Sequence, residues 1–156
     1  QKLKVDDPLK LDYSANKYGP YADNLRHLLD GLDGSYLHCE KRLSDAGPTD
    51  LVWFDDARKD QVVGYLADPA QSRFTAVLEQ TSEVIDGFES PLGMELLATV
   101  DWLLARTNTD KSAADVQAKL AGWPGGKSAT ARKQRLFDIR LIGLAIDRLT
   151  STVLYV

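Results

Sequence analysis

Two histidines, one cysteine and 23 acidic residues are the groups with which this 156-residue chain could do chemistry. His38 and Cys39 are adjacent in Ser35–Cys39, a segment of strand character in which neighbours point to opposite faces. No further His or Cys group stands at ligand spacing, so the pair does not make a zinc site, and one cysteine cannot form an internal bridge. His27 lies beside the apolar face of a helix. Structural roles are expected for all three, with no metal and no cofactor. Glu89 and Glu95 flank Pro91 and Gly93 and are the only acids placed like an acid/base pair. Acids at a helix start also complement its dipole, and that reading is preferred. Gly126-Lys127-Ser128 resembles the end of a phosphate loop. The pattern GxxxxGK[ST] needs glycine at 121, where Ala121 stands, and a strand before it where a helix is expected. A turn is the better reading.

What remains is charge. The chain carries 23 acids and 19 bases, a net −4. Residues 1–101 hold 19 acids and 10 bases, and residues 102–156 hold 4 and 9, so an acidic part precedes a basic one. Glu79, Glu83 and Asp86 fall at i, i+4 and i+7 on the exposed side of a helix expected over residues 70–86. Carboxylates so placed stand roughly 5–6 Å apart along the axis for each turn, comparable with the step between phosphates on a nucleic-acid strand. Asp45, Asp50, Asp55, Asp56 and Asp60 form a second concentration. A solvated helix face accounts for such acids; the functional reading is a surface that imitates DNA to a basic protein. Trp53 and Trp102 are candidate anchors. Glu95, Thr99, Trp102 and Arg106 form a second face of the helix that carries Leu96, Val100 and Leu103. On the basic side stand Lys127, Arg132, Lys133, Arg135 and Arg140. Segment 127–140 gives the alternative, a DNA-binding module in which Arg132, Lys133, Arg135 and Arg140 contact phosphates.

These residues need elements to hold them. Hydrophobic residues make up 44% and charged residues 27% of the chain, ordinary for a globular domain, and the apolar spacing along it reads as mostly α with a small β component. Residues 1–17 read as a linker or loosely docked extension, and 18–156 as a single domain. Tyr18-Gly19-Pro20 reads as a helix start, with Leu25, Leu28, Leu29 and Leu32 on one face and Gly34 as the stop. Ser35–Cys39 and Leu51–Phe54 read as short strands. Helices follow over 70–86, from Ser90-Pro91 to about 105, and over 112–121, capped by Thr109 or Ser112. A final helix over 131–149 and a strand over 152–156 complete an arrangement resembling a winged helix-turn-helix. Its third helix is rich in apolar residues, which favours a packing role over groove reading. No apolar run is long enough to cross a membrane. Low cysteine use fits a reducing cytoplasm. The start at Gln1, with Met94 the sole methionine, suggests an excised or processed chain.

Two stretches carry a resemblance. Tyr18-Gly19-Pro20-Tyr21-Ala22-Asp23-Asn24-Leu25-Arg26-His27-Leu28-Leu29 is one. Asp86-Gly87-Phe88-Glu89-Ser90-Pro91-Leu92-Gly93-Met94-Glu95-Leu96-Leu97-Ala98-Thr99-Val100 is the other, and the more specific. Both resemble the C-terminal region of DarG antitoxins, the DNA ADP-ribosyl glycohydrolases that accompany the toxin DarT. The family often has Tyr at the position of Leu92 and His at that of Asp101. The resemblance implies an N-terminal macrodomain partner in the full-length protein, where the glycohydrolase activity resides. It implies for this chain a non-enzymatic domain that binds DarT, an NAD-dependent ADP-ribosyltransferase acting on single-stranded DNA. Glu79, Glu83, Asp86, Asp55, Asp56, Trp53, Glu95 and Trp102 are then the expected toxin-facing residues. A monomer, or a 1:1 complex with the toxin, is the expected state, and direct binding of nucleic acid is not.

Overall fold

The computed structural model describes residues 9–47, 49–107 and 110–151. They form a mostly α structure with two small two-stranded sheets, as the helical periodicity along the chain suggested. Contacts gather into two compact units, one holding Tyr13–Tyr21 and the chain from Gln80 onward, the other Ala22–Glu79.

In the first unit, β1 (Tyr13–Asn16) pairs with β2 (Gly19–Ala22), whose last residue falls in the other unit. The expected helix start at Tyr18-Gly19-Pro20 is therefore corrected to a strand. Gly19 sits at a φ of 136°, a conformation that no helix accepts. Strand β1 falls within the segment 1–17. The helical body comprises α4 (Pro91–Arg106), α5 (Ala113–Lys119), α6 (Lys127–Leu136) and α7 (Ile139–Ser151). Leu96, Leu97, Val100 and Leu103 of α4 recur at i, i+1, i+4 and i+7 and are buried. Ile142, Ala145, Ile146 and Leu149 of α7 fall at i, i+3, i+4 and i+7 and join Val116, Leu120, Trp123, Ala129 and Phe137 in one core. Each large side chain so buried contributes about 1.5–3 kcal/mol.

The caps follow the sequence. The Ser90 hydroxyl accepts from the Gly93 amide at 3.0 Å with Pro91 at the first helical position, and Ser112 accepts from Asp115 at 3.1 Å. The single last helix expected over 131–149 is corrected to two. Phe137 leaves the helical region with φ −104° and ψ 92°, and the Asp138 carboxylate accepts from the Leu141 amide at 2.8 Å, capping a new helix. The strand expected over 152–156 and the Thr109 cap lie outside the described residues.

The second unit holds α1 (Leu25–Leu32), β3 (Leu37–Cys39), β4 (Val52–Phe54), α2 (Lys59–Ala67) and the start of α3 (Ser72–Ile85). Strands β3 and β4 pair in the register Leu37↔Phe54, His38↔Trp53 and Cys39↔Val52. Its described apolar residues include only Ala22 and Leu43 as fully buried.

Candidate functional site

The densest charge constellation lies inside the first unit. One face of α4 presents Glu95 and Thr99, and α6 presents Arg132 and Lys133 across from them. The Lys133 ammonium donates to Glu95 Oε1 at 3.0 Å and to Thr99 Oγ1 at 3.0 Å, while Arg132 donates to Glu95 Oε2 at 2.7 Å. Lys133 is 0% exposed, with its Nζ 4.8 Å from the Trp123 ring centre and 5.4 Å from that of Phe137. Burial pulls the Lys133 pKa below the ordinary lysine value, and the Glu95 carboxylate opposes that pull. The same carboxylate raises the pKa of Arg132.

Three expectations change. Glu95, expected on an exposed face, is buried in an ion-pair network. Lys133 is enclosed and Arg132 engaged, so two of the four residues of the alternative DNA-binding set are committed inside the fold; Arg135 and Arg140 remain exposed. Trp102 is half-buried against the core, edge-to-face with Trp123 at 6.3 Å, under the Arg106 guanidinium at 3.4 Å. It is a packing residue rather than an offered anchor.

Glu79 and Glu83 are exposed on α3. Asp86 stands one residue beyond the helix, with its side chain 79% exposed and 3.9 Å from Arg148, whose guanidinium donates to the Glu83 carbonyl at 2.6 Å. In the other unit, Trp53 stacks on His38 at 6.0 Å, and His38 Nε2 lies 3.5 Å from Asp55. Asp55 also accepts from the Ala57 amide at 3.0 Å. That amide, with help from His38, holds its carboxyl below the usual range. Asp56 is exposed. The charge also divides between the units, with the net negative charge on one of them. Residues 22–79 hold 11 acids and 6 bases, and residues 80–151 hold 9 of each.

Sequence reasoning missed two features. One is a run of exposed apolar residues on the acidic unit, Leu51, Val52, Phe54, Val63 and Tyr65 with Trp53. The signal was present, since the apolar run 51–54 has no buried face to complement. The other is a cavity of about 580 Å³ between the start of α4 and α7, lined by Phe88, Leu92, Leu96, Phe137, Leu141 and Leu144. The longer resemblance motif forms one wall of it. Among the described residues, no group of three or more His, Cys, Asp or Glu is placed to hold a metal ion, and no helix is long and apolar enough to cross a membrane.

Fold and charge thus define a mostly α, two-unit protein whose net negative charge lies on one unit. Its similarity is specific. Over 154 residues, 96% of the chain, it is 34% identical to DNA ADP-ribosyl glycohydrolase from Mycobacterium tuberculosis and equally to that from Mycobacterium bovis. It is 33% identical over 128 residues to the protein of that name from Thermus aquaticus. The chain spans 41% of the mycobacterial proteins and 34% of the Thermus one. No family model matches it.

Proposed function

We propose that this chain is the toxin-binding domain of a DarG-type antitoxin and carries no glycohydrolase of its own. Its partner is a DarT-type ADP-ribosyltransferase, which it inhibits by occupying the channel that takes single-stranded DNA. Such channels are electropositive and lined by stacking side chains, and an acidic surface is steered into them. The observation that carries the reading is the state of the charges. Acidic Glu79, Glu83 and Asp56 are exposed, and the 22–79 segment is net −5. Arg132 and Lys133, which a DNA reader would need, are held by Glu95. Similarity along nearly the whole chain to part of DNA ADP-ribosyl glycohydrolases supplies the context.

The test is a titration of purified chain into the toxin with a single-stranded DNA substrate. Modification is expected to fall in proportion to added chain and to stop near equimolar amounts. Unchanged modification at equimolar chain rejects the reading. Reversing Glu79, Glu83 and Asp86 to lysine together is expected to raise the concentration needed. An unaltered titration would leave α3 outside the interface.

A further inference from the structure

The two-stranded sheet of the acidic unit has an open edge with a definite register. Asp55 N–H donates to the Tyr36 carbonyl at 2.9 Å, just beyond the Leu37↔Phe54 pair. In an antiparallel ladder, hydrogen-bonded and non-bonded pairs alternate. His38↔Trp53 is therefore the bonded pair, and the backbone N–H and C=O of Val52 and Phe54 point away from β3. Among the described residues no strand lies on that side of β4.

Open edges are ordinarily blunted by lysine, proline, bulges or a covering element. Strand β4 is short but carries neither Lys nor Pro, and its side chains are apolar on both faces. Val52, Trp53 and Phe54 are each near 40% exposed and Leu51 is 74% exposed, with Val63 and Tyr65 exposed on α2 of the same unit. Carboxylates bracket the strand, Asp50 before it and Asp55 and Asp56 after it. Asp50 is paired to Lys41 at 2.7 Å, Asp55 with His38. The unit around them remains net −5 over residues 22–79. A second copy would bring the same charge and be repelled; a basic chain would be attracted.

We propose that the β4 edge takes an extended segment of a basic protein partner as a third strand. Val52 and Phe54 supply the main-chain hydrogen bonds, and the apolar faces of β4 receive the incoming side chains. This rests on the reading that the partner is the toxin, and adds the mode of attachment. It also accounts for a unit that keeps so much apolar surface outside. A third strand and its side chains complete a sheet that two strands alone stabilise poorly.

Amide hydrogen exchange of the intact chain, free and in complex with the toxin, tests it. In the free chain the Val52 and Phe54 amides are expected to exchange faster than Trp53, whose N–H bonds to β3. In the complex both are expected to slow by about tenfold or more. Val52→Pro removes one outward donor at the first residue of the strand, where proline is tolerated, and should weaken toxin binding by up to about tenfold. If the complex forms and both amides exchange at their free rates, strand addition is overturned and the antitoxin reading stands. If no complex forms, both fall. Protection that appears in the free chain and grows with its concentration would make a second copy the occupant and overturn the assignment. The exchange data use the unaltered chain, so the proposal is decided even if Val52→Pro fails to fold.

Discussion

Glu95 shows how a residue's type can suggest one role and its surroundings another. The sequence reads it as an acid complementing the start of a helix, yet it stands in the second turn of α4 and its carboxylate bonds to Arg132 and Lys133, 37 and 38 positions further along the chain. No local spacing encodes that contact, which is why the sequence placed all three on surfaces. Removing one member of a buried ion pair leaves an uncompensated charge and costs about 3–5 kcal/mol, whereas replacing the set with apolar groups is often neutral. Glu95→Ala is therefore expected to destabilise by about 3–5 kcal/mol in urea unfolding. Glu95→Leu combined with Lys133→Met should recover most of that loss. The single variant has a pH signature. Without Glu95, burial depresses the Lys133 pKa without opposition. Between that value and the ordinary lysine range the unfolded chain binds more protons, so stability should rise with pH there. A flat profile, or a double variant as weak as the single one, would show that the network is not what the Glu95 side chain supports.

At the scale of elements, capping and periodicity were legible and breaks were not. Ser90-Pro91, the apolar repeat of α4, the strand at 52–54 and the Ser112 cap follow from local chemistry. The division between α6 and α7 did not, because apolar periodicity runs through Phe137 and Asp138 without interruption. Nor did β2, because proline after glycine reads equally as a helix start. The motif from Asp86 to Val100 gains a local explanation. The Ser90 cap turns the chain so that Gly93 backs onto the loop, and a Cβ there would stand 2.6 Å from the Phe88 carbonyl oxygen. Backbone cannot retreat as a flexible side chain would. Gly93→Ala should therefore destabilise by more than Ser90→Ala, which loses about 1 kcal/mol of capping. Gly143, inside α7 with open space where its Cβ would be, is the control. Gly143→Ala should leave stability unchanged or raise it by up to about 1 kcal/mol. Thermal unfolding of the three variants orders them, and a Gly93→Ala protein as stable as the parent would refute the close approach.

At the scale of the whole molecule, burial and charge are divided alike. The described core lies along Val84 to Leu149, while the segment from Ala22 to Glu79 fully buries Ala22 and Leu43 and leaves Leu51, Val63 and Tyr65 exposed. That segment also carries the net negative charge, and self-repulsion opposes compaction. Composition averaged over the chain hid both differences, since 44% hydrophobic residues imply nothing about where the apolar surface is placed. Local opening free energy follows buried apolar contact, so the two units should differ in protection from amide exchange. Amides of α4, α5 and α7 are expected to exchange only through the largest openings. Those of β3, β4 and α2 should exchange through smaller, local ones, with rates that fall as salt screens the carboxylates. Equal protection across both units would mean that the acidic segment draws stability from something other than its own core. If the proposed partner binds through β4, it should raise protection in β3, β4 and α2 far more than in α4, and equal gains in both would argue against that edge.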